Sequence, residues 1–213
     1  MRFTPVSRGT VAGLVASTLA FVGLAIVVAL RWHPLVGFDV AAVHAAHAGV
    51  LTRPWLRVAA VAVTDAGSPV AVDLVVVAIG AYLCVRRRVR LAGYLVAARL
   101  LELGVETAVK YLLARPRPAL PNPVAYASGF SFPSGHTAGT TVLYVALLAL
   151  ATRRRAGPLA GVVALLVTAV AASRVLLGVH YPSDVIGGVL LGLACVFATQ
   201  PLRPAPGRPD TGH

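Results

Sequence analysis

Apolar residues along this chain do not alternate with polar ones; they run in blocks divided by short basic, polar or proline-rich segments. The first block, TVAGLVASTLAFVGLAIVVAL at residues 10–30, has the roughly 20 residues a helix needs to cross a bilayer. Similar blocks predict spans at 68–85, 91–113, from about Thr137 to the segment TRRRAGP, 158–177 and 184–200. Between the first two lies a polar-interrupted stretch, residues 31–68, holding RWHP, three histidines and the apolar piece WLRVAAVAV. That piece is too short to span alone and predicts a surface or re-entrant helix. The expected fold is an all-α, polytopic membrane bundle of about six transmembrane helices. It forms one domain over residues 1–200, with a disordered tail at 201–213. The first block is too long for a signal-peptide core and no small-residue cleavage site follows it, so it reads as a retained helix.

One predicted span breaks the apolar pattern. Arg99, Glu102, Glu106 and Lys110 recur every three or four residues and so share one face of the 91–113 helix. Charges within a span face the bundle interior or a water-filled cavity. They read as a ladder of ion pairs in which Glu106 orients Lys110, with a proton or ion path as the alternative. Asp73, near the start of the preceding span, is a possible partner of the ladder.

Composition agrees with the block pattern. The chain is 58% hydrophobic and only 12% charged, and its mean hydropathy is +0.82. The net charge of +12 would suggest a nucleic-acid partner in a soluble protein. Here the basic residues sit in short segments between apolar blocks, where they act as topology signals, and no nucleic acid is expected. With the N-terminus inside, the inner segments carry 11 basic residues and the outer ones seven. This predicts N-in and C-in, with the 110–137 loop and the 174–184 turn on the outer face. Cys84 and Cys195 lie within apolar blocks and have no disulfide or metal spacing.

Those two outer segments hold the candidate chemistry: KYLLARPRP (110–118), PSGH (133–136) and SRVLLGVHYPSD (173–184). Lys110, Arg117 and Arg174 can neutralise a multiply charged anion, and the planar arginine fork suits phosphate oxygens. Ser134 and Gly135 begin a helix, where free amides and the positive end of the dipole form an anion site. His180 and Asp184 are four residues apart at the start of the last span. A carboxylate there fixes the tautomer of one imidazole nitrogen and leaves the other free to attack. His136 is then available to protonate a departing oxygen.

The pattern K-x6-RP, PSGH and SR-x5-H-x3-D resembles the signature of the type 2 phosphatidic acid phosphatase family, which also includes glucose-6-phosphatase-like enzymes and soluble vanadium haloperoxidases. It is carried by Lys110, Arg117 and Pro118, then Pro133, Ser134, Gly135 and His136, then Ser173, Arg174, His180 and Asp184. The motifs cover about 75 residues, and the span pattern extends the likeness over most of the chain and points to the membrane-integral branch. The resemblance implies a phosphatase in which His180 forms a phosphohistidine, Asp184 orients it and His136 protonates the leaving group. Lys110, Arg117, Ser134, the Gly135 amide and Arg174 would hold the phosphoryl oxygens. No metal or cofactor is implied, since fixed cations fill that role. The implied partner is a lipid phosphate or diphosphate within membrane lipids: a polyprenyl diphosphate, phosphatidic acid or phosphatidylglycerol phosphate. The small size and plain outer loops fit a bacterial cell membrane.

Blander readings compete at several positions. Lys110 could snorkel to the interface, Ser173 could simply pack, and Arg115 reads as a solvated loop charge. Asp39, His44 and His47 lack a convincing third ligand for a metal and lie in a segment expected to be irregular, so these histidines read as surface or interfacial. At the level of function, a phosphotransferase using the same intermediate and a non-catalytic anionic-lipid binder stand as rivals. Binding alone would need only the cations, and the His136, His180 and Asp184 set argues against it.

Overall fold

The structure, a computed structural model, describes residues 7–121, 123–150 and 153–203, with side chains from 156 onward in the last segment. Eight α-helices occupy it: α1 (Arg8–Ala29), α2 (His33–Thr52), α3 (Pro54–Ala66), α4 (Pro69–Val85), α5 (Val89–Leu113), α6 (Gly135–Ala149), α7 (Arg153–Leu176) and α8 (Pro182–Thr199). A 3-10 turn at Gln200–Leu202 closes α8. The expected disorder of the tail therefore does not begin at 201, and residues 204–213 lie outside the described residues. No strand occurs among the described residues.

Local chemistry sets the helix starts. Ser7 Oγ accepts from the Thr10 amide at 3.1 Å and Ser68 Oγ from the Ala71 amide at 3.2 Å, capping α1 and α4. Proline stands in the first turn of α2, α3, α4 and α8, where its missing N–H costs no hydrogen bond.

The 31–68 stretch corrects its sequence reading. Residues 33–52 form one continuous 20-residue helix, α2, long and apolar enough to cross a membrane. The polar residues that interrupt its hydropathy face inward, Asp39 at 0% exposed and His47 at 3%. WLRVAAVAV falls in α3, which meets α4 at a 41° bend, so that the two together have the length and composition of one broken span or a re-entrant pair. By those measures four described helices can cross a membrane, or five with the bent pair. Counting also α5, which carries the charged ladder, and α6, whose 15 residues extend about 22 Å against a core of ~30 Å, brings the total to six, or seven with the bent pair. α2 was not among the six expected from sequence.

Around the bundle, Val11, Val15, Leu19, Val22 and Ile26 form an exposed apolar stripe on α1, a surface suited to lipid chains. Inside, α8 is the hub, packed on α1, α5, α6, α7 and α2. Phe132 is fully buried and stacks on Phe21 at 5.9 Å between centroids. The closest approach joins α6 to α8. A Cβ on Gly188 would lie 2.6 Å from the Ser134 carbonyl oxygen, and one on Gly192 would lie 2.9 Å from that of Ala138. In lipid, where no hydrophobic effect drives helices together, such small-residue contacts let backbones pack tightly. They press the start of α6 against the start of α8, where the Ser134 amide donates to the Asp184 carbonyl at 3.0 Å.

The ladder on α5 forms. Arg99 bonds Asp73 of α4 at 2.7 Å and also pairs with Glu102, and Lys110 Nζ lies 2.6 Å from Glu106 Oε1. Gly135 packs directly on Glu106, so that a Cβ there would overlap Glu106 Oε1.

Candidate active site

The site is assembled from three places: the end of α5 with the loop after it, the start of α6, and the turn from α7 into α8. At the end of α5, Ala114 adopts a left-handed conformation (φ 45°), its amide held by the Lys110 carbonyl at 2.9 Å. This turns the chain away from the helix and sends ARPRP across the end of the bundle. Ser131 folds the loop back, donating its amide to the Arg115 carbonyl at 2.9 Å and its hydroxyl to the Pro116 carbonyl at 3.1 Å. Beyond α7, Gly178 (φ +72°) makes the reversal that places His180 ahead of α8, a conformation glycine adopts without steric cost.

Arg117 joins these pieces. It donates to the carbonyls of Ser128, Gly129 and Phe130 at 2.9, 3.0 and 3.2 Å, gathering its own loop. Its Nη1 reaches the Val179 carbonyl at 2.8 Å and His180 Nε2 at 3.0 Å. A guanidinium has only donors to offer, so His180 Nε2 is the accepting, unprotonated nitrogen and the ring proton belongs to Nδ1. Nδ1 in turn faces Asp184 Oδ2 at 3.4 Å. Burial lowers the His180 pKa to about 4; Asp184 works against that shift, while Arg117 and Arg174 add to it. At neutral pH the imidazole is neutral.

Asp184 is completely buried and doubles as a helix-capping residue, its Oδ2 accepting from the Tyr181 amide at 2.9 Å. Arg174, in the last turn of α7, donates to Thr64 of α3 at 2.6 Å, and its buried Nε has no hydrogen-bond partner among the described residues. Lys110 stays beside Glu106. Ser134 is fully buried as the N-cap of α6 and accepts from Thr137 Oγ1 at 3.2 Å. Gly135 and His136 follow in the first turn, where amides have no intrahelical acceptor. His136 is half-buried, and Arg174, His180, Lys110 and Arg117 all stand near enough to act on its charge. The residues picked out from the three motifs thus meet in one place. Ser173 does not join them; its hydroxyl donates to the Val170 carbonyl of its own helix at 2.7 Å.

Two residues at the site were misjudged from sequence. Arg115, expected to be solvated, points inward: it contacts Asp184 Oδ1 at 2.5 Å, Ser183 Oγ at 2.7 Å and Asp39 Oδ2 at 2.7 Å, and lies over the Tyr181 ring at 4.4 Å. Burial would lower its pKa, but Asp184 and Asp39 outweigh that and raise it. Asp39, set aside with the histidines of α2, accepts from the Ser183 amide at 3.0 Å and from the Ser183 hydroxyl. The available signal was a lone acid in an apolar stretch with no local cation, which demands a partner from elsewhere. His47 is buried and bonds the Pro121 carbonyl at 3.2 Å, while His44 is exposed. Among the described residues no group of three or more His, Cys, Asp or Glu could hold a metal ion.

Next to this cluster, a groove of about 220 Å³ runs between α1 and α2, lined by Val28, Leu35, Val36, Val40 and Leu113 and ending at Arg115, Pro116 and Tyr181.

Comparison with known proteins gives a single answer. The sequence profile of the PAP2 superfamily matches residues 90–206. The chain is 37% identical over 161 residues to decaprenylphosphoryl-5-phosphoribose phosphatase of Mycobacterium tuberculosis, covering 72% of this chain and 84% of that one. It is 32% identical over 167 residues to phosphatidylglycerophosphatase B of Bacillus subtilis, covering 72% and 78%. Its fold is similar to the crystal structure of a transmembrane PAP2-type phosphatidylglycerolphosphate phosphatase from Bacillus subtilis, with a TM-score of 0.79 and 26% identity over 87% of this chain and 93% of that one. LpxE of Aquifex aeolicus shares the fold at a TM-score of 0.58 and 24% identity, over 69% and 86%. With more than half of its length under the family profile and an all-helical bundle rich in apolar helices, this chain belongs to the PAP2 superfamily and is a membrane phosphatase of that family.

Proposed function

We propose that this phosphatase hydrolyses the phosphate of a membrane lipid through a phosphohistidine formed on His180. The observation that carries the reading is the His180 Nε2 lone pair, unprotonated and held 3.0 Å from Arg117 Nη1. A phosphoryl oxygen that takes the guanidinium from this contact leaves Nε2 facing phosphorus. In the first step the Nε2–P bond forms and the P–O bond to the lipid breaks. Burial and the nearby cations lower the His136 pKa before substrate binds, so His136 takes up its proton when the anionic phosphate is seated beside it and gives that proton to the departing oxygen. In the second, His136 takes a proton from water as the water oxygen attacks phosphorus, and the N–P bond breaks to release inorganic phosphate. Lys110, Arg117, Arg174, Ser134 and the Gly135 amide hold the non-bridging oxygens. Positioning and charge stabilisation of this kind make up most of phosphoryl-transfer catalysis.

The substrate reading draws on the relatives. One is named for a phosphate on a decaprenyl-linked sugar and the other for phosphatidylglycerol phosphate; both are lipids carrying a terminal phosphate. The groove ending at Arg115 and Tyr181 offers apolar walls beside a basic pocket, which suits a headgroup with its chain left in the bilayer. The basic-residue distribution supports an N-in, C-in orientation in a bacterial cell membrane with the site facing outward.

The test is phosphate release by the purified protein in detergent with a chelator present, offered a polyprenyl diphosphate, phosphatidic acid, phosphatidylglycerol phosphate and a soluble phosphate ester. We expect chelator-insensitive release from a lipid substrate and a loss of at least about 10³-fold in His180→Ala. Wild-type activity in His180→Ala overturns the covalent reading. Release only when a second hydroxyl compound is supplied points to transfer instead of hydrolysis.

A further inference from the structure

The mechanism above uses one oxygen of Asp184 and leaves the other, together with a fully buried carboxylate from α2, without a role. Asp39 is 0% exposed, and its partners are Ser183 (through the amide and the hydroxyl) and Arg115. Arg115 bridges the two acids with separate nitrogens, Nη2 on Asp39 and Nη1 on Asp184 Oδ1. Asp184 Oδ2, the oxygen facing His180, also caps the Tyr181 amide. The carboxylate is therefore clamped at both oxygens, by Arg115 from the α5–α6 loop and by the Tyr181 amide at the start of α8, and Asp39 of α2 acts on it through Arg115. Burying two acids and one arginine is costly unless geometry and hydrogen bonding are nearly complete, and here all four carboxylate oxygens and both terminal nitrogens of Arg115 have partners.

We propose that Asp39 and Arg115 are positioning residues for the phosphatase reaction, holding the Asp184 carboxylate at the angle and charge that keep the His180 Nε2 lone pair aimed at phosphorus. Arg115 supplies the fork. Asp39 holds Arg115 in place and neutralises the charge that Arg115 would otherwise leave beside Asp184. The inference rests on the reading of His180 as nucleophile. It makes α2 part of the catalytic apparatus through Arg115, which links Asp39 to Asp184, 145 positions further along the sequence.

A purely structural clamp would also be buried and well bonded, so the test needs a readout that stability alone does not move. His180 is faced by Asp184 from α8, Arg117 from the α5–α6 loop, Arg174 from α7 and His136 from α6; Lys110 with Glu106 stands on α5, and Arg115 with Asp39 stands behind Asp184. Removing the Arg115 cation leaves Asp184 less compensated, so His180 binds its proton more readily and the acid limb of kcat/KM moves to higher pH. Removing the Asp39 anion acts in the opposite sense and does not raise that limb.

The experiment measures kcat, KM, inhibition by inorganic phosphate and the pH profile for wild type, Asp39→Asn, Arg115→Met, Arg115→Lys and His180→Ala, in detergent with the best lipid substrate. The expected result is a loss of roughly ten- to a hundredfold in kcat for Asp39→Asn and Arg115→Met, the range seen when groups that orient a catalytic ligand are removed. KM and phosphate inhibition should change little in Asp39→Asn, whose side chain does not line the groove, and only Arg115→Met should raise the acid limb. Arg115→Lys keeps the charge without the fork, so it should lose kcat while its acid limb stays in place. Wild-type kcat in Asp39→Asn overturns the proposal. So does a loss that follows the fraction of unfolded protein while the remaining activity keeps the wild-type pH profile. If Arg115→Met does not fold, Arg115→Lys and Asp39→Asn decide the matter alone. Turnover by His180→Ala refutes the nucleophile reading itself, a result separate from either outcome for α2.

Discussion

At the scale of single residues, the site depends on which atoms are protonated and on how little room surrounds them. His180 is buried and its pKa lies at about 4, below the ~6.5 of an unfolded histidine. Unfolded chains therefore bind more protons at this residue between pH 4 and 6.5, and its contribution to stability is full above that window and lost as pH falls through it. For the proposed reaction the same shift keeps His180 unprotonated, as a nucleophile must be, through the neutral range. The acid limb of kcat/KM attributable to His180 should therefore lie near pH 4, and a steady-state pH series in detergent will locate it. A second prediction concerns Gly135. A methyl group there overlaps the Glu106 carboxylate, which holds Lys110 at 2.6 Å. Gly135→Ala should push Glu106 aside and displace Lys110 from its place beside the phosphate site. We expect a fall of ten- to a hundredfold in kcat/KM, about 1.4–2.7 kcal/mol of transition-state stabilisation, with a much smaller effect on thermal stability. A melting curve recorded beside the kinetics separates the two.

At the scale of elements, the contact between α6 and α8 decides whether the PSGH turn lies against the His180–Asp184 turn. Gly188 meets the Ser134 carbonyl, a backbone atom that has no rotamer by which to retreat. Gly188→Val should force the two helix starts apart and break the bond from the Ser134 amide to the Asp184 carbonyl. Overpacking of this kind costs typically 1–3 kcal/mol. We expect both a lower melting temperature and a loss of activity, in contrast to Gly135→Ala, where the two separate. The helices themselves were largely readable from the apolar blocks: the starts of α1, α4 and α8 fall within two residues of the expected span starts. α2 was not readable, because its polar residues lower the local hydropathy. Asp39 and His47 are satisfied by Ser183, Arg115 and Pro121, partners more than 70 positions away. Hydropathy averages over neighbours in sequence and cannot register a partner supplied by the fold.

At the scale of the whole molecule, the charge of the loops bears on orientation. The basic segments predict that Ser128, in the α5–α6 loop, faces outside and that Arg88, between α4 and α5, faces inside. In a Cys84→Ser background, Ser128→Cys should react with a membrane-impermeant thiol reagent in intact cells, and Arg88→Cys should react only after permeabilisation. The reverse pattern would place the site on the inner face. That assay also bears on α2, since a helix crossing the bilayer at residues 33–52 changes how the first loops are distributed between the two faces.

The sequence alone determined that this is a helical membrane protein and singled out the residues to which the proposed phosphoryl-transfer chemistry is assigned. Both properties are local: apolar blocks report a bilayer-crossing length, and the motif residues lie at fixed short spacings within three segments. Which loop charge is solvated and which is structural depended on the tertiary structure. Arg115 and Arg117 are two residues apart in the same RPRP segment, yet one grips Asp184 and Asp39 while the other reaches His180. The choice is made by the left-handed turn at Ala114, by the Ser131 bonds that fold the loop, and by the carboxylates that α2 and α8 bring to meet it. A charge buried in a membrane bundle is defined by its partner, and for these residues the partners come together only when the chain has folded.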